Sequence, residues 1–311
     1  MTALICGSLA YDTVMVFNGR FKEHILPDRI HMLSVAFMVP ELRRNFGGCA
    51  GNIAYNLKLL GGDPLVAAAV GQDFDPYAAW MAKQGLSQEC VARHEDAYTA
   101  QAYITTDLDD NQITAFHPGA MERSRDIAVP RDRGLRIGLI GPDGRESMIT
   151  HAQQLADAGV PFIFDPGQAM PLFGGEDLER FIDLASWVVV NDYEGQLVQE
   201  RTGLTPAQIA ARCQAYIVTR GGEGSLIHTR GGTEEIPPVR AACIADPTGC
   251  GDSYRAALIA GLGRGCDWST TGRMASLIGA IKIAHRGTQT HHFTPDEFAD
   301  RFRETFGYDF R

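Results

Sequence analysis

The 311-residue sequence predicts an α/β fold: a three-layer domain with a central, mostly parallel sheet, and a small β-sheet lid beside it. Three observations predict this. Short apolar runs alternate with segments of helical period along most of the chain. The runs are continuously apolar, as strands covered on both faces require. The alternation breaks twice, around residues 11–45 and 97–118, where paired strand-like stretches replace it.

The strand candidates of the main sheet are Ala3–Cys6, Leu65–Val70, Arg136–Ile140, Pro161–Asp165, Trp187–Asn191, Tyr216–Thr219 and Ser225–His228. The first helix is read from Ala50, Ile53, Ala54, Leu57 and Leu60, which form one apolar face that Gly61-Gly62 ends. Further helices are expected over Asp75–Gln84, Glu146–Ala158, Glu176–Ala185, Asp192–Thr202, Pro206–Cys213, Asp252–Leu262, Thr271–His285 and Pro295–Phe306. Ligands of such a sheet sit at the carboxyl ends of its strands. The two interruptions contribute Thr13–Phe17 with His31–Val39, and Ala100–Thr106 with Gln112–His117. A small sheet over the active edge of an α/β domain is a lid candidate. The expected division is a main domain of residues 1–10, 46–96 and 119–311, and a lid of 11–45 and 97–118.

Composition narrows the function classes. With 45% hydrophobic and 21% charged residues the chain is an ordinary globular one. Its 28 basic against 38 acidic residues give a net charge of −10, which offers no electrostatic footprint for nucleic acid. The N-terminus reads as a first strand and lacks the pattern of a secretory signal. No apolar run approaches the ~18 residues of a membrane span. Seven scattered cysteines without a CxxC pair suit reduced thiols in a cytoplasmic protein better than disulfides or zinc. Neither GxxxxGK[ST], HExxH nor GxSxG occurs.

Glycine is over-represented. The 34 glycines are about 11% of the chain, against a usual ~7%. They cluster at Gly47-Gly48, Gly51, Gly61-Gly62, Gly221-Gly222, Gly224, Gly249 and Gly251, positions of tight turns or close backbone approach.

The sharpest motif is Asp246-Pro247-Thr248-Gly249-Cys250-Gly251-Asp252, which runs straight into a helix. Its glycines let the N–H groups of residues 249–252 converge on an anion, and the helix behind adds its positive end. A carboxylate beside bound phosphate would repel it. Asp252 is better explained as the base that takes a proton from an attacking hydroxyl, or else as an N-cap behind a glycine turn.

A second segment, Asn45-Phe46-Gly47-Gly48-Cys49-Ala50-Gly51-Asn52, also opens a helix; Asn52 can both donate to and accept from a hydroxyl, or simply lie near the helix start. After the first strand, Asp12 either clamps a diol or forms an Asx-turn. Asn191-Asp192-Tyr193-Glu194 begins another helix. Asn191 and Glu194 suit a hydrated Mg²⁺, or N-capping with an acidic first turn. Thr219-Arg220-Gly221-Gly222-Glu223-Gly224 is either a phosphate-facing turn or a plain hairpin.

These five elements, in this order, resemble the PfkB-type, ribokinase-like sugar and nucleoside kinases from Gly7 to about Gln289. The resemblance implies a Rossmann-like α/β/α domain with a β-sheet lid. It implies Asp252 as catalytic base, with Gly249, Cys250 and Gly251 joining it in the anion hole. Asp12, Gly48 and Asn52 would hold the acceptor's hydroxyls. Thr219, Gly221 and Gly224 would line the ATP site, and Asn191 and Glu194 would organise Mg²⁺ and phosphate. By the same analogy Asp246 and Thr248 are a candidate monovalent-cation (K⁺) site.

Pro247, where many members carry Thr, and Tyr254-Arg255 are closer to the nucleoside-phosphorylating branch. So are Phe116-His117-Pro118-Gly119-Ala120-Met121 and His285-Arg286-Gly287-Thr288-Gln289, which resemble adenosine and nucleoside kinases of bacteria and archaea. Phe116, Met121, Phe37 and Met38 are either a purine-facing wall or lid core. Arg255 is either a phosphate or charge-balancing residue, or one half of a structural ion pair.

The expected reaction is ATP- and Mg²⁺-dependent phosphorylation of a nucleoside 5′-hydroxyl, adenosine first, with a sugar such as ribose or fructose as the alternative. A catalytically silent nucleotide-binding protein is a third reading, opposed by the intact Asp252 and Glu194. The apolar stretch Met32–Val39 suggests a homodimer through the lid.

Overall fold

The first strand, β1 (Thr2–Cys6), sends Ala3 and Ile5 into one apolar cluster and Leu4 and Cys6 into another. That alternation places β1 between two covering layers. The computed structural model describes residues 1–25, 34–109 and 111–310. Within them β1 belongs to a nine-stranded sheet. The other members are β4 (Asp63–Gly71), β5 (Val91–His94), β8 (Ile137–Ile140), β9 (Phe162–Phe164), β10 (Trp187–Asn191), β11 (Ala215–Thr219), β12 (Ser225–Thr229) and β13 (Gly232–Ile236). Their spatial order is β13-β12-β11-β10-β9-β8-β1-β4-β5. Neighbours from β5 to β11 pair in parallel, and β12 and β13 close one edge in antiparallel fashion. The parallel strands therefore end on one common edge.

Five helices cover one face: α2 (Cys49–Leu59), α3 (Asp75–Lys83), α8 (Cys250–Arg264), α9 (Trp268–Ile283) and α10 (Pro295–Phe306). The other face carries α4 (Arg145–Asp157), α5 (Gly175–Leu184), α6 (Asp192–Thr202) and α7 (Pro206–Arg212). The expected three-layer architecture is present. β5 and β13 were not anticipated, because each is short and partly exposed at a sheet edge. α9 begins three residues before the expected Thr271, since Asp267 caps it by accepting from the Thr270 N–H at 2.7 Å.

A separate four-stranded sheet has the order β3-β2-β6-β7, from β2 (Ala10–Val16), β3 (Glu41–Gly47), β6 (Ala100–Thr106) and β7 (Gln112–His117). The expected strand over His31–Val39 is corrected here. Residues 31–33 lie outside the described residues, and 34–39 form no strand. The partner of β2 is instead the polar Glu41–Gly47, whose register sets Asn45 opposite Asp12. Phe37 packs against Phe17 and Phe21, with ring centroids 4.7 and 5.0 Å apart, beside the four-residue helix α1 (Phe21–His24). Phe37 thus adds to an aromatic cluster where a pleated strand was expected. Of its two readings, packing within the small sheet's aromatic core is the one seen for Phe37.

Phe164 and Phe181 stack face to face at 4.2 Å under the edge where the strands end. Truncating the buried ring by Phe181→Ala is expected to cost about 3–5 kcal/mol, read from urea denaturation with linear extrapolation. A loss under about 1 kcal/mol would show that this layer does not depend on the stack.

Candidate functional site

The carboxyl ends of the parallel strands carry Gly7 and Ser8 after β1, Asp165 after β9, Asn191 ending β10 and Thr219 ending β11. Two helix N-termini meet this edge, and they differ in one decisive respect. At α2, Ser8 takes the first-turn donors: its hydroxyl accepts from the Cys49 N–H at 3.2 Å and its carbonyl from Ala50 at 3.0 Å. That helix start is closed, and its glycines permit close approach of neighbouring groups. A Cβ on Gly47 would lie 2.2 Å from an Asp12 carboxylate oxygen, and one on Gly51 would lie 2.1 Å from the Tyr77 hydroxyl. Gly48 (φ +83°) caps the helix.

At α8 the cap is Gly249, in the left-handed region at φ +78°, and no side chain caps the helix. The Cys250 N–H turns back to the Pro247 carbonyl at 3.2 Å, and Ser253 donates to the Gly249 carbonyl at 3.0 Å. This leaves the N–H groups of Gly249, Gly251 and Asp252 as the open donors of an anion cradle. Of the four N–H groups the sequence places there, that of Cys250 is already engaged.

Asp252 lies in this first turn, half-buried. Its Oδ2 accepts from Asn52 Nδ2 at 2.8 Å. Asn52 Oδ1 accepts in turn from Gln289 Nε2 at 3.1 Å, and Gln289 Oε1 accepts from the Trp80 indole at 2.9 Å. Gln289 Nε2 also donates to the Tyr77 hydroxyl (2.8 Å), which donates to the Gly47 carbonyl (2.8 Å). The Asn52 amide is therefore held with its NH₂ toward Asp252. Burial pushes the Asp252 carboxyl up to about 7; the Asn52 hydrogen bond and Arg255 oppose this, and Asp165 and Asp12 add to it. A carboxylate poised near neutrality, beside an open anion cradle, is what a general base requires.

Arg255, one turn further along α8, forms a bidentate buried pair with Asp165 at 2.7 and 3.0 Å. Of its two readings, the structural ion pair is the one seen. Arg255 Nη1 also reaches the Gly251 carbonyl at 3.3 Å, tying the cradle to β9.

Asp12 is not in an Asx-turn. It is the third residue of β2, and no described residue donates a hydrogen bond to its carboxylate. Burial, then the charge of Asp246, raises it to about 6. One cross-strand row of the lid reads Asn45, Asp12, Ala102, Phe116, so Asp12 and Phe116 share a face with a small residue between them. Phe116 is 52% exposed, Met38 86%, and Met121 is half-buried in the 3₁₀ turn Gly119–Asp126.

Asn191 and Glu194 form a reciprocal capping box: the Asn191 side chain accepts from the Glu194 N–H at 2.7 Å, and Glu194 from Asn191 at 2.8 Å. Glu194 is also raised by burial and by the charge of Asp165. No group of three or more His, Cys, Asp or Glu side chains gathers to chelate a metal among the described residues. Mg²⁺ keeps most of its waters and needs one or two carboxylates, so Glu194 fits a hydrated ion. Thr219 lies in register with Asn191 on the neighbouring strand and donates to the Val190 carbonyl at 3.3 Å. Gly221 and Gly224, both at positive φ, shape the exposed 3₁₀ turn from β11 to β12. Asp246 accepts from the N–H groups of Thr248 (2.9 Å) and Gly287 (2.8 Å).

Asp165, Tyr77 and Trp80 were missed as site residues. Each reads in sequence as a strand end or a helix core residue, and only the fold brings them to Arg255 and Gln289.

The sequence model of the pfkB family carbohydrate kinases matches residues 15–295. The chain belongs to the pfkB family. As a pfkB kinase it is a phosphotransferase whose acceptor group is a hydroxyl. Its fold is shared with a nucleoside kinase from Burkholderia thailandensis in complex with inosine: TM-score 0.90, 52% identity, 99% of both chains covered. A second structure of that protein, in complex with ADP-inosine, matches with a TM-score of 0.87 and 54% identity over 99% of this chain and 97% of the other. The nucleoside kinase of Methanocaldococcus jannaschii is 28% identical over 273 residues, which is 87% of this chain and 90% of that one. Among the described residues no helix is long and apolar enough to cross a membrane, and all seven cysteines are free thiols.

The raised Asp252 carboxyl has a stability consequence. The folded protein binds this proton more tightly than the unfolded chain, whose aspartates titrate near ~3.9. The contribution is fully present below the unfolded value and is lost as pH rises through about 7. Asp252→Asn is therefore expected to melt above the wild type at about pH 8, with the gap closing toward about pH 5. A lower Tm for the variant at pH 8 would contradict the assignment.

Proposed function

We propose that this pfkB kinase transfers the γ-phosphoryl group of ATP to the 5′-hydroxyl of a purine nucleoside, with adenosine as the first candidate. The observation that carries the reading is Asp252: a carboxylate raised to about 7, pinned by Asn52, beside the open N–H groups of α8. The acceptor oxygen forms a bond to the γ-phosphorus, the bond to the bridging oxygen of ADP breaks, and the acceptor's proton passes to Asp252. The N–H groups of Gly249, Gly251 and Asp252 stabilise charge on the transferring group. Asn191, Thr219, Gly221 and Gly224 line the donor side. Glu194 would hold Mg²⁺ through water, and the ion would neutralise phosphate charge.

For a nucleoside acceptor, the lid row is the supporting geometry. Asp12 and Phe116 share a face two strand spacings apart, about 10 Å at ~4.8 Å each. Asp12 then takes the ribose hydroxyls, Ala102 leaves room, and the Phe116 ring is placed to meet a base. The inosine complexes of the Burkholderia kinase, at 52% and 54% identity, support the same acceptor class. Outside this row, on the opposite lid face, Leu42 (62% exposed), Tyr103 (42%) and Ile113 (45%) support a second copy docking lid to lid. A monomeric mass by light scattering would remove that part of the reading.

Asp252→Asn is expected to lower kcat by about 10²–10⁴-fold while ATP still binds. Wild-type-like turnover would sink the mechanism. Phe116→Ala should raise KM for adenosine about tenfold and leave any activity on ribose unchanged. Ribose or fructose outperforming adenosine in an acceptor panel that reads ADP would reverse the order in favour of a sugar.

A further inference from the structure

The last turn of α9 carries a lysine that has no solvent exposure. Lys282 is 0% exposed, and its Nζ donates to the carbonyls of Asp246 at 2.7 Å and His285 at 3.3 Å. A buried ammonium is costly unless paired, so this one has a structural or electrostatic task. Burial holds its pKa below the usual lysine value, while Asp246, Cys250 and Asp252, on the loop and first turn that make the anion cradle, favour its charged form.

The same loop was the candidate for a monovalent cation, and the oxygens of Asp246 do not fit one. Its Oδ1 takes the Thr248 N–H, its Oδ2 takes the Gly287 N–H, and its carbonyl takes Lys282. A hard cation is held by several oxygens free to turn toward it. Here each Asp246 oxygen already accepts from an N–H group or from the chain's own ammonium, which holds it toward internal donors. The turn after α9 is thereby clamped onto the cradle. Gly249 lies against Thr288, which donates to the Phe46 carbonyl at 2.7 Å.

We propose that Lys282 is a built-in cation that positions the anion-binding loop, so that this kinase needs no dissociable monovalent ion. It acts through the Asp246 carbonyl and is a positioning residue. The inference rests on the kinase reading for its activity readout and on geometry alone for its binding readout.

The test is a K⁺ titration of the wild type at constant ionic strength against tetramethylammonium, reading both ADP formation with adenosine and Tm. Both are expected to stay flat, within about twofold in rate. Lys282→Met should lower kcat about tenfold with KM little changed, and K⁺ should restore rate and Tm better than tetramethylammonium. A wild type activated about tenfold by K⁺, or raised in Tm by it, would overturn the proposal. So would a Lys282→Met enzyme with unaltered kcat. Should that variant fail to fold, Lys282→Arg, which keeps the charge, is expected to remain indifferent to K⁺, and K⁺-dependence in it would count against the idea. If no acceptor yields ADP, the functional reading falls, while the Tm titration still judges Lys282.

Discussion

The bidentate pair between Arg255 and Asp165 holds the chemistry together. It joins α8, whose first-turn N–H groups are open, to the edge where the parallel strands end, and it does so out of water. Asp252, Glu194 and Asp165 all act on this one guanidinium. Without it, like charges would crowd a region of low dielectric. Removing one partner of such a pair leaves a buried charge unmatched, which is far worse than never having had the pair. The position of α8, and with it the aim of its first turn, depends on that match.

The net charge of −10 makes sense in this light. A phosphate-handling protein need not be basic when the donors are backbone dipoles and the few cations are internal. Arg255 and Lys282 are both buried, and each serves carbonyl or carboxylate oxygens of the chain itself. The overall field of the protein is acidic, while the local field at the cradle is set by a helix end.

Much of the fold was legible because its signal is periodic. The edges of β10 and α6, and those of β6 and β7, fall where the apolar spacing and the turn residues place them. The lid strand β3 was not legible: it is mostly exposed and polar, and it is fixed by pairing with β2 rather than by burial of its own side chains. Its apolar neighbour invited the wrong choice. In the site, Asp252, Asn52 and Glu194 were visible because glycine-rich turns mark helix starts. Trp80, Tyr77 and Asp165 touch the site through contacts with Gln289 and Arg255 that span about 90 to 210 residues, and no local pattern announces such pairs. The second glycine segment shows how alike two helix starts can read in sequence. Its helix start looks like that of α8 in sequence, yet Ser8 closes it.

The chain of hydrogen bonds behind Asp252 runs in one direction. Trp80 donates to Gln289, Gln289 to Asn52 and Asn52 to Asp252. Indole and amide groups orient a carboxylate well, but they have no titratable site at which to relay a proton. A proton accepted by Asp252 therefore has no rear exit through this network. The network that fixes where the carboxylate points thus also insulates it from behind.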